Sequence, residues 1–337
     1  MRRVLRIVTR RVINAVVTIF GILCFNYVLI HLMPGNPEAN LAPHNPQYAG
    51  FLQDNIRTFG LDKPQWQQFL IYLQNTFTFN WGISYFYKSP VADKIIPALA
   101  WTLLLVGTST IITIVIGMVI GSYAAVRRGK SFDFISTGVG IFLYGMPIFW
   151  LGLMLQLAFA KGSIFQQYFS WWPTFPLGGR IDEDPSFPPW AWDWTHISSV
   201  LTHLFLPALT LSLGTLAGVS LVMRSSLIDV MTEDFVLTAK AKGLSDRQVL
   251  RRHIFPSGLP PMVSLIALDL AFVVGGAYQV EWVFNYKGIG WLTIDAIDHL
   301  DFPMLQFIVV IGGVAIVLGN LISDFILLWL DPRIKIT

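Results

Sequence analysis

The sequence predicts an all-α integral membrane protein with six spans and both termini on the cytoplasmic side. Three observations predict it. Hydrophobic residues make up 54% of the 337-residue chain and charged residues only 13%, too apolar for a soluble domain of this length. Six apolar stretches, at about 12–32, 99–124, 134–160, 204–226, 259–281 and 304–330, reach the roughly 18 to 20 residues needed to cross a bilayer. The cations are also unevenly shared between the two sides. One side holds Arg2, Arg3, Arg6, Arg10, Arg11, Arg127, Arg128, Lys130, Arg224, Lys240, Lys242, Arg247, Arg251, Arg252, Arg333 and Lys335; the other keeps Arg57, Lys63, Lys88, Lys94, Lys161, Arg180 and Lys287. Because Lys and Arg near span ends mark the cytoplasmic side, both ends and the loop 224–261 are placed there.

The chain divides into a basic tail with span 1 (1–33), an outer segment (34–98) and a core with spans 2–6 (99–337) that carries a basic loop at about 228–258. The arginine-rich start and apolar run could be a cleaved leader, but the run is long for one and no small-residue cleavage site follows it. It reads as a retained span, ending at the turn cluster Pro34-Gly35-Asn36-Pro37. In the outer segment, Trp66, Phe69, Leu70, Tyr72 and Leu73 alternate with Gln, which predicts a surface helix on the outer leaflet or on the protein's own spans. Span 2 carries Gly117 and Gly121, the small-xxx-small spacing that lets helices approach. It ends in Gly129-Lys130-Ser131, which mimics the tail of a phosphate-binding loop; Ala124 stands where the upstream glycine is needed and no strand precedes it, so no ATP site is read here.

Span 3 contains Pro147, which predicts a kink. The outer segment 161–200 is rich in Trp, Pro and acids, as an interfacial aromatic belt is. Span 5 carries Asp269 near its middle. A carboxylate at the bilayer centre costs about 2.5 to 3.5 kcal/mol, so it is expected to face the bundle interior or a wet cavity. A pathway-lining, a hydrogen-bonding and a proton-coupling role stay open. Pro147, Asp269, Gly276 and Glu281 are the candidate pathway residues.

The organising stretch is the basic loop, RSSLIDVMTEDFVLTAKAKGLSDRQVLRRHIFPSGLPP. Helix formers before Gly243 predict a short helix closed by a left-handed turn. Ser245 with Gln248 three residues on predicts a capping box that starts a second helix. That helix carries Arg247, Arg251, Arg252 and His253, and Pro256 with Pro260-Pro261 is expected to end it. The loop is therefore expected to be a compact helix-turn-helix rather than a slack linker.

The exclusions are clear. Cys24 is the single cysteine, so an intramolecular disulfide and a cysteine-based zinc site are ruled out. The six histidines are scattered, and no catalytic constellation is present. The modest net charge of +3 is no nucleic-acid signal. No clear internal repeat is visible, which weighs against an inverted-repeat secondary transporter.

Several segments together resemble one family, the B-type permease subunits of dipeptide and oligopeptide ABC importers. These include His31-Leu32-Met33-Pro34-Gly35-Asn36-Pro37, Phe59-Gly60-Leu61-Asp62-Lys63-Pro64, Ala124-Ala125-Val126-Arg127-Arg128-Gly129 with Asp133, and Pro147-Ile148-Phe149-Trp150-Leu151-Gly152. Further ones are His203-Leu204-Phe205-Leu206-Pro207, Thr238-Ala239-Lys240-Ala241-Lys242-Gly243-Leu244-Ser245, Glu281-Trp282-Val283-Phe284, Gly288-Ile289-Gly290 and Asp331-Pro332-Arg333.

The resemblance implies a six-helix type I importer fold whose loop is a coupling loop. Glu233, Asp234, Thr238, Ala239, Lys240, Ala241, Lys242, Gly243, Ser245, Arg252 and His253 would engage an ATPase. It implies a C-type permease partner as heterodimer, two ATPase subunits that hold ATP and Mg, an external substrate-binding protein, no cofactor on this chain, and a place in the cell membrane. Three positions depart from the family pattern: Leu237 stands where a Glu is usual, Lys287 where a Pro is usual, and Asp269 where an uncharged polar residue is expected. Relatives of such importers also carry oligosaccharides or nickel chelates. Two other classes compete: an ion-coupled secondary transporter using Asp269, and a membrane scaffold that only recruits partners.

Overall fold

The structure, a computed structural model, describes residues 2–32, 49–181, 194–262, 265 and 277–330. Among these residues it is helical, with two isolated bridges, Ile83 to Pro90 and Ala160 to Phe175, as the extended pairing. The helices are α1 (Arg2–Leu32), α2 (Ala49–Phe59), α3 (Gln65–Thr78), α4 (Val91–Val126), α5 (Ser131–Tyr144), α6 (Ile148–Phe159), α7 (Ile164–Tyr168) and α8 (Trp194–Met231). They continue with α9 (Asp234–Ala241), α10 (Asp246–Val249), α11 (Phe255–Gly258), α12 (Tyr278–Val283), α13 (Ile289–Asp298) and α14 (Phe302–Leu330).

Among the described residues, four helical stretches are long and apolar enough to cross a membrane: Val8–Leu32, Val91–Val126, Trp194–Met231 and Phe302–Ile322. Helix α4 has 36 residues, about 54 Å at the usual rise, so it outreaches the hydrocarbon core and begins earlier than the expected residue 99. The expected kinked span 134–160 is two helices, α5 and α6, bent by 104°. Pro147 has no N–H to continue α5, and it occupies the N-cap position of α6 after Gly145 has closed α5. The proline therefore starts a new helix instead of bending an old one. The expected fifth span, 259–281, lies mostly outside the described residues, and so do Asp269 and Gly276.

The chain forms two compact units. Unit 1 comprises 1–103, 273–282 and 287–321; unit 2 comprises 104–272, 283–286 and 322–337. In unit 1, Leu23, Tyr72, Trp81, Ile95, Leu292, Met304 and Phe307 make the core, with Trp81 stacked on Phe307 at 5.3 Å. The expected helix at 64–77 is α3; it buries Tyr72 and packs Phe69 and Leu73 against the same core, while Trp66, Leu70 and Phe77 stay exposed. The Asn26 amide donates to the Tyr72 hydroxyl (3.1 Å) and to the Gln306 carbonyl (3.0 Å), tying α1, α3 and α14 together.

In unit 2, α8 is the axis. A side chain at Gly117 would meet Val219, and one at Gly121 would meet the backbone of Ser220. Small residues therefore let α4 and α8 touch, as a bilayer favours. Gly140 of α5 lies over Ala217 of α8 in the same way.

Candidate functional site

The basic loop follows α8 without a break. Thr232 and Glu233 turn the chain, their N–H groups bonding back to Asp229 and Val230. Glu233 then takes the N-cap position of α9 with extended backbone. Two residues of α9 face inward, Val236 and Ala239; Asp234, Phe235, Leu237, Thr238, Lys240 and Ala241 face out. The inward pair joins Ala125, Met223, Leu227, Val249, Ile254 and Met262 in a buried cluster. This cluster seats the loop on the base of α8.

The turn after α9 is fully bonded. Gly243 has φ +80°, a conformation that costs any other residue a Cβ clash. Its N–H bonds the Lys240 carbonyl (2.9 Å), and the Leu244 N–H bonds the Ala239 carbonyl (3.4 Å). That pair of bonds, with Leu244 packed on the same cluster as Ala239, is a Schellman closure. Ser245 and Gln248 then form the capping box of α10. Outside, Lys240 pairs with Asp246 at 3.2 Å.

The second helix passes the expected stop at Pro256 and ends before the Pro260-Pro261 pair. Residues Leu250–Ile254 form a π turn in which the Phe255 N–H reaches the Leu250 carbonyl, and α11 runs on to Gly258. In α register the Pro256 ring would strike the Arg252 carbonyl. The wider turn removes that clash and lets the helix continue. Pro260 and Pro261 begin another helical turn, a position that tolerates a missing N–H. Arg251 and Arg252 are exposed on this segment, and His253 is half-buried.

Just above the seat, Arg224 of α8 grips Asp133 of α5. Nε meets Oδ1 at 2.5 Å and Nη2 meets Oδ2 at 2.8 Å. Oδ2 also accepts the Gly129 N–H at 2.8 Å. Sequence reading had both residues in separate motifs and missed the pairing; Asp133 after a basic turn was its one signal.

Of the pathway candidates, Pro147 and Glu281 lie among the described residues. Pro147 stands at the α5–α6 break. Glu281 is fully buried in unit 1: Oε1 accepts the Thr102 hydroxyl (2.7 Å) and Oε2 the Trp291 N–H (2.9 Å). Thr102 in turn accepts the Ile289 N–H (2.8 Å). Glu281 and Thr102 thus cap the start of α13, a task Gly288 has no side chain to perform. A Cβ at Gly288 would strike those same two side chains, and one at Gly290 the backbone of Tyr278. The motif Gly288-Ile289-Gly290 is therefore a close-fit helix start. Lys287 lies 5.8 Å over the Trp291 ring. Among the described residues, no three His, Cys, Asp or Glu side chains group to hold a metal.

Comparison with known proteins adds the lineage. Residues 117–336 match the model of the binding-protein-dependent transport system inner membrane component, and residues 4–106 match the N-terminal model of such membrane components. The dipeptide transport system permease protein DppB of Escherichia coli K12 is 31% identical over 98% of this chain and 99% of its own. The oligopeptide transport system permease protein AppB of Bacillus subtilis is 30% identical over 97% and 98%, and the glutathione transport system permease protein GsiC of E. coli K12 is 29% identical over 98% and 99%. Among solved structures, one of the MetNI methionine ABC transporter in inward-facing conformations superposes with a TM-score of 0.53, covering 72% of this chain and 98% of that one at 16% identity, a likeness of fold. This chain belongs to the family of inner membrane components of binding-protein-dependent transport systems.

Proposed function

We propose that the chain is the permease subunit through which an ATP-driven importer moves short peptides handed over by an external binding protein. The relatives support the cargo class: a dipeptide, an oligopeptide and a glutathione permease are each near 30% identical over nearly the whole chain. The chain forms six spans with both termini in the cytoplasm, next to a C-type permease subunit. Two ATPase subunits hold ATP and Mg; this chain binds no cofactor. Pro147, Asp269, Gly276 and Glu281 are the pathway residues in this reading.

One observation carries the mechanism: the loop 228–258 is a stiff elbow seated on α8. Its buried side cannot slide, because Val236, Ala239 and Val249 are locked among Met223, Leu227 and Ile254. Its outer side offers Asp234, Leu237, Thr238, Ala241 and the flanking Lys240 and Lys242 to an ATPase cleft. Arg252 and His253 continue that surface. Leu237, exposed at 66%, makes the centre of the contact apolar, and Glu233 or Asp234 supplies the carboxylate. When ATP draws the two ATPases together, a rigid elbow passes their displacement to the spans; a flexible loop would absorb it.

The test is reconstitution with the ATPases in liposomes. Wild type imports labelled dipeptide with ATP, and Gly243→Pro inserts but does not import. Uptake by this chain alone under a pH gradient, without ATP, would replace this reading with an ion-coupled one.

A further inference from the structure

We propose that the Asp133–Arg224 pair is the link that makes α5 follow the elbow, so the stroke reaches two helices of unit 2 rather than α8 alone. This rests on the reading of 228–258 as the coupling loop. The elbow grips α8 through Met223 and Leu227, both fully buried. Arg224 lies between them, on the same turn. A displacement of the elbow therefore reaches the guanidinium with no intervening slack.

The geometry of the pair suits transmission. Two parallel bonds from one guanidinium to one carboxylate fix orientation as well as distance, which a lysine cannot do. Asp133 is buried, its side chain 6% exposed against 27% for Arg224. Its bond to the Gly129 N–H also gathers in the turn between α4 and α5.

Stability is a weak reason to place a charge pair here, since a buried pair only breaks even against well-packed apolar side chains. Besides this pair, the base of α5 is attached to α4 by the edge-on contact of Phe132 with the Tyr123 ring (4.6 Å). Phe134 and Ile135 point outward, at 83% and 60% exposure. The close approach of Gly140 to Ala217 lies about 10 Å further along the helix, and in lipid such apolar contacts have no hydrophobic drive behind them. At its far end α5 stops at Gly145 and Pro147, where α6 departs at 104°. A short break of this kind between two helices can absorb a rotation that α5 transmits.

The experiment uses the complete complex in proteoliposomes and reads peptide imported per ATP hydrolysed. Asp133→Asn keeps the side-chain shape, and Arg224→Gln keeps a polar side chain that is shorter and uncharged. Both should assemble and hydrolyse ATP, while import per ATP falls about tenfold, in the lower part of the usual range for coupling between sites. Arg224→Lys should fall between, and the exchange Asp133→Arg with Arg224→Asp should recover part of the loss. Spin labels at Phe134 and Ser225, in a Cys24→Ser background, should give one narrow distance in every nucleotide state of the otherwise unchanged complex. The same labels should give a broad distribution in Asp133→Asn.

Unchanged import per ATP in either single variant would overturn the proposal. So would a loss confined to protein abundance with the ratio kept, or failure of every variant to assemble, the charge exchange included. Import by a wild-type complex that lacks the ATPases would overturn the coupling-loop reading first and this link with it.

Discussion

Both units bury carboxylates, and they hold them in different ways. In unit 1, Glu281 and Asp301 are held by neutral donors. Asp301, 1% exposed, accepts the Ser84 hydroxyl and the N–H groups of Tyr85, Phe86 and Met304. In unit 2, Asp133 is held by a guanidinium. Backbone donors cannot move without moving their helix, so the unit 1 clamps fix where α13 and α14 begin. A side-chain ion pair joins helices that meet mostly through small residues. The contrast assigns a framing role to the first clamp and a linking role to the second.

The largest effect should come from breaking the frame. Glu281→Ala leaves the Thr102 hydroxyl and the Trp291 N–H without their acceptor in a site closed to water. Each such loss costs about 1 to 3 kcal/mol, so about 2 to 6 kcal/mol should disappear. Heating followed by size-exclusion chromatography of the detergent-solubilised protein reads this as early loss of the folded peak. Glu281→Gln retains one acceptor and should recover part. A near wild-type melt for Glu281→Ala would mean that α13 starts without its cap.

In unit 2 the steric equivalent is Gly121→Leu. The new side chain meets the Ser220 carbonyl and Met223 of α8, neither of which can retreat without parting the helices. Overpacking of this kind costs about 1 to 3 kcal/mol. Gly138→Ala is the control, because nothing lies within 4 Å of a Cβ there. If both variants melt together, α4 and α8 are not held by close approach.

What could be read from the sequence follows from distance along the chain. Gly243, Ser245 and Gln248 act within five residues of one another, and their chemistry is local, so the turn and the capping box are foreseeable. The Asp133–Arg224 pair spans 91 positions and Thr102–Glu281 spans 179. A lipid-facing helix is apolar on every side, so no polar stripe shows which way it will turn. The two prolines misled for a related reason. Pro147 and Pro256 each announce a missing N–H, but whether the chain breaks, kinks or widens into a π turn depends on its neighbours. Gly145 favoured the break at Pro147; at Pro256 the buried Ile254 beside it kept the helix seated.

A smaller effect is expected at the elbow's turn. Gly243→Ala has open space around its Cβ, so the penalty is the left-handed backbone alone, about 1 kcal/mol. Hydrogen exchange should quicken at the amides of Gly243 and Leu244, whose bonds close the turn, and stay slow at Val249, which is buried. Quickening throughout the loop would mean that the turn, rather than the apolar seat, holds the elbow.

The smallest effect sharpens the contrast between buried and exposed charge. Lys240 and Asp246 pair at 3.2 Å, yet the side chains are 54% and 89% exposed. Water screens such a pair and both side chains lose freedom in making it, so it contributes below about 0.5 kcal/mol. Asp246→Asn should leave the melt and the exchange rates at wild-type values. Its other possible role is at the outer surface, where Lys240 would be left with its charge uncompensated. If ATPase binding strengthens in Asp246→Asn and the gain fades in high salt, the pair moderates how strongly Lys240 attracts the partner. If binding is the same at every salt concentration, the Leu237 side of the helix makes the contact and the charges lie at its rim.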